Sequence, residues 1–184
     1  MNKIIMIFLI AILIMCPMQV SAIGISAECA CVIDASTGRI IYEKNMNKQH
    51  TMASTTKIMT AIVALENSNF DDVVTVSENA AGTEGTSLYL KAQQKVTMED
   101  LLYGLMLQSG NDAAIAIAEG ISGSVSEFAT LMNQKCTEIG VKNTSFKNPN
   151  GLDEDGHFTT AYDLAMITRQ AMKNEIFRQI VSTK

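Results

Sequence analysis

Ser54 stands three residues ahead of Lys57 in the run A-S-T-T-K-I-M-T-A, Ala53 to Ala61. On a helix, residues three apart share a face, so a serine hydroxyl and a lysine amine at this spacing can touch. A serine alone is a poor nucleophile and needs a base beside it. A lysine becomes a base when burial among apolar groups lowers its pKa, and the residues after Lys57 supply such groups: Ile58, Met59, Ala61, Ile62, Val63 and Leu65. A serine at a helix N-terminus also lies where backbone N–H groups and the helix dipole favour developing negative charge. The two residues therefore make sense together as a nucleophile and its base. Alone, Ser-x-x-Lys is also satisfied by an N-cap serine followed by a solvated lysine.

A second polar group interrupts apolar sequence at Ser109-Gly110-Asn111, within L-L-Y-G-L-M-L-Q-S-G-N-D-A-A, Leu101 to Ala114. A loop between two core helices can present polar side chains to a cleft. Its simpler reading is a helix C-cap through Gly110 followed by a new N-cap, which accounts for Gly110 but not for Ser109.

The elements that must position these groups follow from pattern. Ala27 to Asp34 and Arg39 to Tyr42 read as strands joined by a turn at Ala35-Ser36-Thr37-Gly38, a hairpin. Ser54 to Leu65 reads as a helix apolar on nearly every side, hence buried. Asp72 to Val76 and Ser87 to Leu90 read as extended, and Tyr89 fits either a buried strand aromatic or a ring beside the cleft. Thr97 is the expected N-cap of a helix to about Leu107, with Asp100 in a variant capping box. Helices are expected over Asp112 to Glu119, Val125 to Ile139 and Thr160 to Met172. Lys147 to Gly156, dense in Asn, Asp, Gly and Pro, reads as a loop. Its acidic run, Asp153 to Asp155, is expected to be solvated, and His157 is given no role.

Residues 1–22 stand apart. Lys3 precedes the apolar run Ile4 to Met15, Pro17 interrupts, and Val20-Ser21-Ala22 offers small residues for cleavage. These are the parts of a secretory signal peptide. A spanning helix needs roughly 20 apolar residues; an uncleaved anchor is the rival reading, and a lipoprotein at Cys16 is disfavoured by the bulky Met15 before it. On any of these readings, residues 23–184 face the outside. Removal of Lys3 takes the net charge from −5 to −6, which argues against nucleic acid as a partner, since phosphate binding needs a basic face. Apolar residues make up 47% of the 184 and charged residues 18%, the balance of a folded domain. Cys29, Cys31 and Cys136 remain after cleavage, an odd count. They read as reduced, small hydrophobes, with Cys29 and Cys31 on one strand face. Neither His50 nor His157 has zinc-ligand spacing to them.

Ser-x-x-Lys followed by Ser-x-Asn is the motif pair of penicillin-binding proteins and class A β-lactamases. The blocks Ala53–Ala61, G-T-E-G-T-S-L-Y-L-K from Gly82, Leu101–Ala114 and N-P-N-G-L-D-E-D-G-H-F-T-T-A-Y-D-L-A from Asn148 resemble the serine-type D-alanyl-D-alanine carboxypeptidases, the low-molecular-mass penicillin-binding proteins. The resemblance covers about Ala27 to the end. It implies an α/β (α+β) chain of the β-lactamase/transpeptidase-like fold, helices clustered against an antiparallel sheet. It implies that Ser54 attacks the penultimate D-Ala of a peptidoglycan stem pentapeptide and that Lys57 takes its proton. Ser109 would relay a proton to the leaving amine, and Asn111 would bind the substrate backbone and hold Lys57. It further implies no metal or cofactor, acylation of Ser54 by β-lactams, and a place at the cell wall or the outer face of the cytoplasmic membrane. The family's third motif, Lys-Thr-Gly, does not occur after Asn111, and Ser182-Thr183-Lys184 is no substitute. The expectation is therefore a truncated chain that lacks the later strands and a C-terminal membrane-associating segment. Two other readings stay open: a β-lactamase of the same fold, which would need a Glu in an E-x-x-L-N setting that is absent here, and a non-catalytic wall-binding fragment.

Overall fold

The computed structural model describes residues 24–184. The proposed signal peptide and Cys16 lie outside them. Among the described residues no helix is long and apolar enough to cross a membrane.

One helix sits at the centre, and its composition explains why. Asn111–Ser122 (α4) reads N-D-A-A-I-A-I-A-E-G-I-S, and every residue from Asn111 to Ala118 is buried. Small alanines let neighbours approach on all sides, as a helix without a polar face requires. Around it pack Lys57–Asn67 (α1), the short Glu78–Ala81 (α2), Met98–Leu107 (α3) and Val125–Ile139 (α5). Met59, Leu101, Leu102, Leu105, Ile117, Phe128 and Met132 form the middle of the core. Ala161–Ala171 (α6) packs on α1 and α5, and Glu175–Ser182 (α7) closes over α3 and α1.

The sheets are small and antiparallel. Ala30–Ile33 (β1) pairs with Ile40–Lys44 (β2), with a register shift between Val32 and Ile33, and the hairpin lies on α6. Val73–Thr75 (β3) pairs with Lys95–Thr97 (β4) and lies on α4. Cys29 lies just before β1 and Cys31 within it, and both line the groove between β1 and α6. They are half-buried, Cys136 is buried, and all three are free thiols. Burial pushes the Cys136 thiol up to about 12.

The caps follow the sequence. Thr97 Oγ1 accepts the Asp100 N–H at 3.1 Å and donates to Asp100 Oδ2 at 2.8 Å. Thr160 Oγ1 accepts the Asp163 N–H at 3.1 Å. Asp163, itself buried, accepts from the Asn143 N–H at 2.7 Å and Thr144 Oγ1 at 2.9 Å, tying α6 to the chain that leaves α5.

The expected strand at Ser87 to Leu90 does not form. The segment is bound to a side chain instead of to a neighbouring strand. Asp112, buried at the start of α4, accepts Ser87 Oγ at 2.7 Å and the N–H groups of Leu88 and Leu90, each at 3.0 Å. Leu88 points inward, against Gly104 of α3. A Cβ at Gly104 would come within 2.2 Å of Leu88 Cδ1, so the Leu88 side chain fills the space that glycine leaves on α3. Tyr89, between them, has φ +61° and is 86% exposed, which rules out the buried aromatic.

Candidate active site

Ser54 does not sit on the α-helix itself. Ala53–Thr56 form a single 3-10 turn that runs into α1 at Lys57. Residues i and i+3 eclipse in a 3-10 turn, so the turn aligns Ser54 with Lys57 more directly than α-helical spacing would. Ser54 is exposed; Lys57 is 2% exposed.

Three groups surround the amine. Lys57 Nζ donates to Asn111 Oδ1 at 2.7 Å and to the Asn150 carbonyl at 2.6 Å, and lies 3.3 Å from Ser54 Oγ. No carboxylate is among its hydrogen-bonding or ion-pair partners. With no counter-ion to offset the loss of solvent, burial pulls its pKa from 10.5 to about 8. The site thus contains a lysine whose neutral form is within reach near physiological pH, where an ordinary lysine is almost wholly ammonium.

Asn111 is fixed at both ends. While Oδ1 faces Lys57, Nδ2 donates to the Glu84 carbonyl at 2.8 Å, and its backbone N–H donates to the Thr86 carbonyl at 2.7 Å. The amide cannot flip without placing two donors together, so its oxygen points at the lysine. Asn111 reaches this place because it is the first residue of α4, after the cap Gly110, with its side chain directed inward.

Ser109 departs from the expected assembly. It, not Gly110, takes the left-handed backbone conformation at the break, with φ +57°. Its half-buried hydroxyl makes no hydrogen bond to Ser54, Lys57 or any other described residue.

The polar loop contributes more than its composition suggested. Asn148 Oδ1 accepts the Gly151 N–H at 2.8 Å and Asn150 Oδ1 accepts the Leu152 N–H at 3.1 Å, which folds the loop so that the Asn150 carbonyl faces Lys57. Thr60 Oγ1 of α1 donates to the Pro149 carbonyl at 2.6 Å. His157, expected to have no role, is buried and lies 2.9 Å from Thr56 Oγ1. Composition alone signals a solvated loop here; the available clue was Thr56 and Thr60, two hydroxyls on a helix otherwise apolar all round, which need partners from elsewhere. Among the described residues no cluster of His, Cys, Asp or Glu is arranged to hold a metal.

Known proteins share this arrangement's sequence and fold. The D-alanyl-D-alanine carboxypeptidase DacF of Bacillus subtilis is 40% identical over 170 residues, which cover 90% of this chain and 44% of that protein. DacA of Escherichia coli is 37% identical over 161 residues, 82% of this chain and 40% of its own length. The crystal structure of the D-alanyl-D-alanine carboxypeptidase DacD from Francisella tularensis superposes with a TM-score of 0.84 at 42% identity, covering 88% of this chain and 41% of that one. Penicillin binding protein 5 from Haemophilus influenzae gives 0.80 at 31% identity, over 85% and 48%. The chain thus spans less than half the length of these relatives. Both structures share with it the fold that the resemblance implies, helices clustered against antiparallel sheet. The profile of one family matches residues 16–184. By that match and these identities, the chain belongs to the D-alanyl-D-alanine carboxypeptidase family.

Proposed function

We propose that the protein is an exported, serine-type D-alanyl-D-alanine carboxypeptidase that trims the terminal D-Ala from peptidoglycan stem pentapeptides. The observation that carries this reading is the partner set of Lys57. A neutral amine has two N–H donors and one lone pair. The two shortest contacts, to Asn111 Oδ1 and the Asn150 carbonyl, take the donors. The lone pair is left for the third and longest, the Ser54 hydroxyl.

Ser54 Oγ then attacks the carbonyl carbon of the penultimate D-Ala as its proton passes to Lys57 Nζ. The Ser54 backbone N–H supplies one donor to the oxyanion. Collapse breaks the C–N bond to the terminal D-Ala, whose nitrogen leaves with a proton relayed through Ser109. Water attacks the Ser54 ester, releases the shortened peptide and restores the hydroxyl. Asn111 aligns the substrate backbone while it holds Lys57. A β-lactam would follow the first half of this path, with its ring amide in place of the peptide bond. The sequence has no Glu in an E-x-x-L-N setting to activate water on the ester, which favours a long-lived penicillin ester over β-lactamase turnover. The site would work outside the cytoplasm, delivered by residues 1–22.

Intact mass after incubation of the full-length protein with benzylpenicillin tests the reading. A stoichiometric adduct that Ser54→Ala abolishes, together with release of D-Ala from a D-Ala-D-Ala peptide, is the expected result. Folded protein that forms no adduct at short times would overturn it.

A further inference from the structure

His157 is 4% exposed and both ring nitrogens are in use. Nδ1 lies 3.0 Å from the Lys147 N–H, a donor, so Nδ1 must be the unprotonated nitrogen. Nε2 therefore carries the ring proton and donates it to Thr56 Oγ1 at 2.9 Å. The ring stands edge-on to Phe146, with centroids 5.9 Å apart. One neutral imidazole thus joins two pieces of the site: the 3-10 turn that carries Ser54, and the base of the loop that delivers the Asn150 carbonyl to Lys57. Between those two attachments the surfaces are in direct contact, since Gly151 lies against Ala53.

We propose that His157 is a positioning residue for the Ser54–Lys57 pair, acting only while its ring is neutral. The proposal rests on the reading of Ser54 and Lys57 as the acylating pair. A proton added at Nδ1 would face the Lys147 N–H, donor against donor. The Lys147 end of the loop would then separate, and the Asn150 carbonyl would lose its hold on Lys57. Burial favours the neutral ring and lowers its pKa below 6.5, against the opposing pull of Glu154 and Asp153 in the same loop. Of the other charged groups around it, Lys147 brings its side-chain stem against Gly156, and Lys57 adjoins Thr56 in the turn.

Acylation by benzylpenicillin between pH 5 and 8, measured on the full-length protein by mass, tests this alongside amide hydrogen exchange of residues 147–157. Loss of one proton from Lys57 gives the logarithm of the rate a slope of one below about 8. Titration of His157 in the same direction should steepen that slope towards two as the pH falls further. His157→Phe should lose about a hundredfold in rate, the scale of a 1 Å misplacement, and exchange faster in 147–157 but not in α3 or α5. His157→Gln keeps a donor for Thr56. It should recover part of the rate and hold a slope of one down to pH 5. Equal rates, slopes and loop exchange in the native protein and both variants would overturn the proposal. So would faster exchange with rate and slope unchanged, since that is a structural role alone. Absence of any adduct on the native protein would instead overturn the Ser54 reading. Loop exchange that does not speed up in His157→Phe would then reject the clamp itself.

Discussion

Gly151 and Ala53 touch backbone to backbone. A Cβ added to Gly151 would stand 1.9 Å from the Ala53 carbonyl oxygen, and Gly151 has φ +89°. Space and conformation both demand glycine, in a loop about a hundred residues from the nucleophile in sequence and in contact with its turn. Gly151→Ala is expected to destabilise the protein by about 2 kcal/mol or more, from the left-handed backbone and the overlap together. It should also slow acylation, because the loop can escape the clash only by withdrawing the Asn150 carbonyl. Thermal unfolding and the acylation rate check this; a variant with native values for both would contradict it.

Lys57 should give the reaction its pH dependence. The acylation rate is expected to rise about tenfold per pH unit up to about 8 and then level off. Stability carries the same signature. The folded-state pKa lies below the unfolded value of 10.5, so the stability present above 10.5 is lost as pH falls to about 8. That shift corresponds to about 3 kcal/mol at about 1.4 kcal/mol per unit. Denaturant titrations at pH 8 and 10.5 should show the native protein gaining stability relative to Lys57→Met, a comparison that cancels the opposing titration of Cys136.

Asn111→Asp keeps the shape but places a carboxylate 2.7 Å from the amine. A negative neighbour favours ammonium, which raises the pKa of Lys57. The variant should acylate at least about tenfold more slowly at pH 7.5, with its rising limb displaced to higher pH. Asn111→Ala should lose rate without that displacement. Superimposable profiles for the two variants would show that charge at this position does not control the lysine.

Asp112 binds the segment that holds Leu88 and displays Tyr89. Burial acts to raise its pKa, but hydrogen bonds from Leu88, Leu90, Ser87 and Ala113 outweigh it and leave the carboxyl below its usual 3.8. Its stabilising effect is therefore present above 3.8 and lost as pH falls further. Asp112→Ala strands one buried and three partly buried donors and is expected to cost about 3 kcal/mol. Limited proteolysis should then cut near Tyr89 first; a native digestion pattern would argue against this anchoring.

The pair Ser54 and Lys57 was legible in sequence because three-residue spacing and an all-apolar helix are local facts. The hairpin and most helices were legible for the same reason. What escaped depends on partners distant in the chain. Ser87 to Leu90 has the composition of a strand, and only the buried Asp112 turns it into a side-chain-bound loop. β4 was missed because three residues carry little pattern until β3 lies beside them. α7 did leave a trace, with Phe177 and Ile180 three apart and Asn174 as a cap, whose Oδ1 accepts the Phe177 N–H at 3.1 Å. The Asn150 carbonyl had no trace, since a main-chain acceptor is the same at every residue.

The low pKa of Lys57 exists only where α1, α4 and the polar loop enclose it. In an unfolded chain the same side chain is an ordinary ammonium with its pKa near 10.5, and Ser54 is one hydroxyl among many. An unfolded or misfolded molecule would thus carry the same Ser54 and Lys57 and remain chemically silent. Labelling by a fluorescent penicillin would then count correctly folded molecules in a mixed population, a folding reporter present in the native sequence.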